Sequence, residues 1–369
     1  MKMNFSNGKR ILTGAALFAI VSLSLTSCGG GGGTTGPDST ATGGSDDALI
    51  GAGSSFDYPL FSKQFSEYNK TTGLKVNYQS VGSGAGISQL TSKTVDFGAS
   101  DAPMNGKQDS LVTSPVIHIP VTAGAVALSY NLPDIKDTLQ LSPEVVAGMF
   151  LGTITKWNDP KIVALNKGVK LPATSIVIAH RSDGSGTTNI FTTYLSKVSS
   201  DWMTKVGKGS AVNWPVGLGG KGSEGVAGQI KQTPGAFGYI ELAYAIQNGM
   251  AFAKVQNKAG NFITPTIASV TAAANITIPA DSKVSLTNTD AADGYPISGF
   301  SWVIIYKEQK YNDRSPDRAT KLLKLLSWMI HDGQQFSGAL NYAPLSPAAV
   351  STGDAILKSA TYDGKPILQ

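Results

Sequence analysis

Ser175-Ile-Val-Ile-Ala-His-Arg-Ser-Asp-Gly-Ser-Gly-Thr-Thr-Asn-Ile-Phe-Thr-Thr-Tyr-Leu195 carries three signals in one short run. The β-branched residues of 175–179 predict a strand, 181–188 is a loop of glycines and hydroxyls, and 187–195 has the apolar spacing of a helix. Working outward, the same alternation recurs. Further strands are expected at 74–78, 95–97, 125–130 and 301–306, and further helices at 58–68, 143–150 and 316–330. The last helix has Ser315 to cap it, Pro316 at its first position, an apolar face of Leu322, Leu323, Leu325, Leu326 and Met329, and Gly333 beyond its end. Strands alternating with helices define an α/β fold. No repeat of solenoid period is present, so a repeat array is not expected.

Two other loops follow the plan of the first. Gly51-Ala-Gly-Ser-Ser-Phe56 runs into a helix beginning near Asp57, and Val81-Gly-Ser-Gly-Ala-Gly86 opens a short helix through Ile87 and Leu90. A helix N-terminus has up to four N–H groups without intrahelical partners and roughly half a unit of positive charge, so three such ends converging would make an anion site. Any one of these loops is equally a common way of capping a helix. Their number, together with Arg181, points to a ligand. Arg181 supplies a planar fork suited to tetrahedral oxyanions. Asp183 reads as its partner, holding the guanidinium in place, with a loop aspartate bonded to its own backbone as the alternative.

Asp101 bears on which oxyanion is taken. An ionised carboxylate accepts hydrogen bonds and donates none. It therefore repels an anion unless that anion carries a proton, as phosphate does at neutral pH and sulfate does not. In a closed, dry site the mismatch costs several kcal/mol.

Composition is compatible with this. The 369 residues, 41% of them hydrophobic, can bury substantial cores and give a soft prior for two domains. The formal charge is +5; Lys2, Lys9 and Arg10 lie in a leader without acids, and removing those three leaves +2. So small a charge gives no reason to expect nucleic acid as a partner. The forty-two glycines let backbone N–H groups come close to a ligand.

Residues 1–27 read as an export signal, with Lys9-Arg10 followed by an apolar stretch from Ile11 to Leu25. It ends at Leu25-Thr26-Ser27-Cys28, which resembles a lipobox, and Cys28 is the only cysteine. A lone cysteine cannot form an internal disulfide, so lipidation gives it a use and would anchor the chain to a membrane. The Gly-, Ser- and Thr-rich stretch 28–47 reads as a tether, with the fold expected from about Ala48.

An enzyme is the rival class. His180, Asp183 and Ser185 supply the elements of a triad, but all three lie in one loop, where the histidine cannot readily lie between acid and nucleophile. No Gly-x-Ser-x-Gly elbow surrounds Ser185 or Ser83. His118, His180 and His331 lack the spacing of a catalytic metal site, and neither metal nor cofactor is expected. Gly217-Leu-Gly-Gly-Lys-Gly-Ser-Glu-Gly225 fails as a nucleotide loop because Gly222, not Ser or Thr, follows Lys221. It reads as a flexible surface loop entering a helix. Trp157 and Trp214 read as packing residues.

After the tether, nearly the whole chain resembles the phosphate-binding proteins of bacterial phosphate ABC transporters. The resemblance rests on Gly51–Phe56, on Thr94-Val-Asp-Phe-Gly-Ala-Ser-Asp-Ala-Pro103, on Arg181–Thr187, on Trp214-Pro-Val-Gly-Leu-Gly-Gly-Lys-Gly222 and on Pro234-Gly-Ala-Phe-Gly-Tyr239. It implies ligand contacts at Ser55, the Phe56 backbone, Ser83, Asp101, Arg181, Ser185, the Gly186 backbone and Thr187, with Asp183 as partner to the arginine. It implies a two-lobed periplasmic-binding-protein fold of type II. Lobe 1 would comprise 48–122 plus 296–369 and lobe 2 residues 123–295, joined by a two-strand hinge that closes over the ion. A monomeric, lipid-anchored receptor serving a permease and its ATPase is the implied context. Ser55 replaces a familiar threonine, and His180 stands where a second basic residue is common. Arsenate, a phosphonate and sulfate are the alternative ligands, arsenate being the one that hydrogen-bond logic alone leaves open.

Overall fold

The computed structural model describes residues 48–368, which lie in one compact unit. The signal segment, Cys28 and the tether of 28–47 fall outside the described residues.

Nine strands make the main sheet. They are β1 Ala48–Gly53, β2 Lys75–Ser80, β3 Phe97–Ser100, β4 Val116–Tyr130, β5 Val177–Arg181, β6 Leu218–Gly220, β7 Ala236–Glu241, β8 Ala251–Phe252 and β9 Ser298–Tyr306. Their order is β2-β1-β3-β9-β4-β7-β5-β6, with β8 also paired to β4. β4 joins two halves. Val116–Ala125 pairs antiparallel with β9, and Val126–Tyr130 pairs antiparallel with β7.

The 125–130 strand expected from sequence is thus only the end of a fifteen-residue strand. Pro120 hides its beginning, since proline inside a ladder is confined to edges and bulges. Here it lies at a bulge: Ser301 pairs with Thr122 and Trp302 with Pro120, so Val121 is the extra residue.

The helices that matter to the site are α1 Tyr58–Thr72, α2 Ser83–Thr91, α3 Pro143–Phe150, α4 Gly186–Val198, α5 Gly222–Gln232 and α6 Pro316–Ile330. The predicted bounds of α3 and α6 match. Ser315 caps α6 by accepting from the Arg318 N–H, and Gly333 falls in a following 3-10 turn. α1 runs four residues beyond its predicted end and stops where Gly73 turns left-handed.

Each half has its own aromatic cluster. Phe61, Phe65, Tyr78 and Phe97 pack around β1 and β2, while Phe150, Phe191, Phe237, Tyr239 and Trp214 pack behind β5 and β7. Trp157 is fully buried, as expected of a packing residue. No described helix is long and apolar enough to cross a membrane.

Candidate functional site

The three loops meet. β1 delivers Ser54, Ser55 and Phe56 to the start of α1, α2 opens at Ser83, and β5 delivers Arg181 to the start of α4. α4 touches the second loop directly, the Gly186 N–H donating to Ser83 Oγ at 3.0 Å, and meets the first through Asp101, to which Thr187 Oγ1 donates at 3.2 Å and the Ser54 hydroxyl also donates. Backbone approaches as closely as glycine permits, the Gly84 N–H donating to the Gly184 carbonyl at 2.8 Å. At Gly82 a side chain is barred twice, by a φ of 89° and by Asp183 Oδ2 lying 2.1 Å from where a Cβ would stand.

Arg181 is 4% exposed. Its Nε donates to Asp183 Oδ1 at 2.7 Å and its Nη2 to Asp183 Oδ2 at 2.5 Å, a two-point pairing that fixes the plane of the guanidinium. Asp183 Oδ1 also accepts from the Gly222 N–H at 3.0 Å. The partner reading of Asp183 therefore holds. Burial disfavours both charges, but their pairing outweighs it, raising the Arg181 pKa and lowering that of Asp183. Behind the arginine, the Tyr239 hydroxyl accepts from the Arg181 N–H at 3.0 Å and lies 2.6 Å from Thr188 Oγ1.

Asp101 is 3% exposed and accepts three hydroxyls. Ser54 and Ser301 donate to Oδ1, and Thr187 donates to Oδ2. Burial pushes its pKa up to about 6, against the pull of the Ser54 and Ser301 hydroxyls and of the Arg181 charge.

The remaining predicted residues gather at the same place. Ser55 Oγ lies 3.0 Å from Ser223 Oγ and accepts from the Ser223 N–H at 3.1 Å. The Phe56 N–H donates to Ser54 Oγ at 3.0 Å. Ser185 Oγ caps α4 by accepting from the Thr188 N–H at 3.1 Å. The triad is not assembled: His180 stacks on Trp214 with centroids 4.8 Å apart, its Nδ1 lies 3.0 Å from the Arg181 carbonyl oxygen, and Asp183 is committed to Arg181. Among the described residues no cluster of His, Cys, Asp or Glu side chains could hold a metal ion.

One expectation needs correction. The Gly217–Gly225 stretch is not a flexible surface loop. It forms strand β6 and the start of α5, whose first two residues reach Asp183 and Ser55. A fourth glycine-hydroxyl helix start, Gly222-Ser223, therefore joins the site. Its signal was the same Gly-Ser before a helix that marked the others. Ser54, Ser301 and Asp57 were also missed. Their partners lie far away in sequence, and no local pattern announces them.

A sheet of two halves sharing one long strand, with helix N-termini and a buried arginine gathered between, defines a solute-binding protein with a site for an oxyanion. A family model described as a PBP superfamily domain matches residues 38–332. Phosphate-binding protein PstS of Haemophilus influenzae is 45% identical over 309 residues, covering 83% of this chain and 91% of that one. Its counterpart in Pasteurella multocida is 42% identical over 327 residues, with coverages of 87% and 93%. The chain belongs to this PstS family of phosphate-binding proteins. A high-affinity periplasmic phosphate-binding protein solved with phosphate bound shares the fold, at a TM-score of 0.67, 21% identity and coverages of 84% and 93%. The fold is the type II periplasmic-binding-protein fold.

Proposed function

We propose that the chain captures inorganic phosphate outside the cytoplasmic membrane and delivers it to an ABC-type import complex. The observation carrying this reading is that Gly186 and Thr187, at the start of α4, contact Ser83 and Asp101 together, so donors and one strong acceptor surround a single point beside Arg181. Phosphate offers that point oxygens to be bound and a proton to give. Ser55, Phe56, Ser83, Arg181, Ser185, Gly186 and Thr187 act as donors, Asp101 accepts, and Asp183 holds Arg181. A cavity of about 420 Å³ has Asp101, Lys208 and Lys283 in its lining, and the two lysines favour an anion on that side of the carboxylate.

The lobes are 48–122 plus 296–369 and 123–295, and the paired strands β4 and β9 form the crossing about which they close. The protein acts without catalysis, as a monomer, and the closed form is what the permease with its ATPase receives. Cys28 carries the lipid that holds the chain to the membrane, so Cys28→Ser releases it into the soluble fraction. Titration calorimetry on protein lacking residues 1–28 should show micromolar or tighter phosphate binding, about −8 kcal/mol or better. Equal affinity for sulfate, or none for phosphate, would overturn the reading.

A further inference from the structure

Asp57 stands at the N-cap position of α1, where an aspartate ordinarily accepts an N–H of the first turn. It makes no such bond. Its side chain turns into the interior, fully buried, and Oδ2 meets the Ser301 hydroxyl. That same hydroxyl reaches Asp101 Oδ1 at 3.0 Å. Ser301 lies at the register shift of β9 against β4, so a bulge in the shared strand sets where this hydroxyl points.

A count of protons decides what the arrangement is. Ser301 has one proton and two carboxyl oxygens before it. With both acids ionised, one of them faces a hydroxyl lone pair, and Asp57 Oδ1, which has no hydrogen-bond partner, is a buried anionic oxygen with nothing to answer it. With a proton on Asp57 Oδ2 the chain runs one way: Asp57 donates to Ser301, and Ser301 donates to Asp101.

Of the other groups around Asp57, Asp101 and Glu241 on β7 are acids, whose negative charges would oppose another, while the Ser54 hydroxyl pulls weakly the other way. The phenols of Tyr78 on β2 and of Tyr342 donate elsewhere, to the Ser54 and Phe56 carbonyls. The cation of the site, Arg181, is already paired with Asp183. The N-terminus of α1 favours a negative charge, but only as a partial charge against a second full one.

We infer that Asp57 keeps its proton and, through Ser301, acts as a positioning residue that holds Asp101 ionised and aimed as the acceptor of the phosphate proton. This rests on the assignment of Asp101 to the ligand. The burial-driven rise of the Asp57 pKa well above the carboxylate range agrees with it.

Infrared spectroscopy of the ligand-free protein at pH 7 tests the proton directly. A carbonyl band of a protonated carboxylic acid that disappears in Asp57→Asn is expected; its absence from the wild type overturns the inference. In calorimetry, Asp57→Ala should weaken phosphate about tenfold and Asp57→Asn, which keeps a neutral donor to Ser301, should recover most of that loss. Overturning results are an Asn variant as weak as the Ala variant, one tighter than wild type by tenfold, or an Ala variant without effect. Should the Asp57 variants fail to fold, Ser301→Ala serves. It removes a donor from Asp101 and should cost about tenfold in affinity near pH 6 and much less at pH 8. An equal loss at both values overturns the inference. Asp101→Asn, run alongside, separates the two readings: if it leaves phosphate binding and sulfate rejection intact, the ligand assignment fails, whereas the Asp57 band is read without ligand and stands alone.

Discussion

Arg181 and Asp101 are both buried within one site, yet their surroundings are built differently. The arginine is answered inside its own loop, two residues away, by Asp183, and the pair is locked by the backbone of α5. The aspartate is answered by hydroxyls alone, from Ser54, Thr187 and Ser301, delivered by three separate elements. One side thus has its charge answered locally, with α5 adding one backbone bond. The other depends on distant parts of the chain being correctly placed, and its proton affinity is open to adjustment by them.

Arg181→Ala attacks the self-contained side and should have the largest effect. It removes the main cation and leaves Asp183 without its guanidinium, so calorimetry should register a phosphate loss of about 4 kcal/mol or more. Next is Asp101→Asn, with an expected loss of about 2 to 3 kcal/mol for phosphate and a narrowed gap to sulfate. If sulfate rejection is untouched, the two sides do not divide the work as described.

The pH dependence of stability should separate the two sides by sign. Asp101 is raised from 3.8 to about 6, so folding takes up a proton across that interval. Ligand-free protein should therefore lose stability as pH rises through it, on the order of 3 kcal/mol from this group in denaturant titrations. Asp183 is lowered, so its contribution is present above its ordinary value and is lost as pH falls through the depressed one.

Gly82→Ala strains a left-handed residue and drives a methyl against Asp183, and should weaken phosphate by about 1 to 2 kcal/mol through displacement of Arg181. The smallest effect belongs to Ser223→Ala, which keeps the N–H bond to Ser55 and loses only the hydroxyl contact, about 0.5 to 1 kcal/mol in the same titration.

The same contrast explains what could be read from the sequence. Arg181 and Asp183 share one strand-turn-helix run, so their pairing was legible from the residues, whereas Ser185 and Thr187 were singled out only by the family resemblance. Asp101 was legible in chemistry, since an acid in an anion site demands a proton, but its donors were not. Ser301 is brought to it by the pairing of β9 with β3 and β4, and Asp57 by that of β1 with β3, neither of which a local pattern records. The first half of β4 was concealed by Pro120, whose place at a bulge is a tertiary fact. Gly222-Ser223 had the right local signal but was weighed as a nucleotide loop and then as a flexible surface loop entering a helix, not as part of the site. The start of α6 was legible because Ser315 and Pro316 mark it by capping chemistry alone; Ser142 and Pro143 start α3 in the same way.

The insertion of β9 between β3 and β4 has a consequence for how the chain reaches its fold. β3 and the first half of β4 are made early in the sequence, but the strand that joins them comes only at 298–306. Helices such as α1 and α6 can form within microseconds from local contacts, whereas the centre of this sheet waits for ends of the chain that are far apart to meet. Refolding should therefore be slow in its last step, and that step is the one that carries Ser301 into place. Until β9 is paired, Asp101 lacks the central hydroxyl that Ser301 supplies.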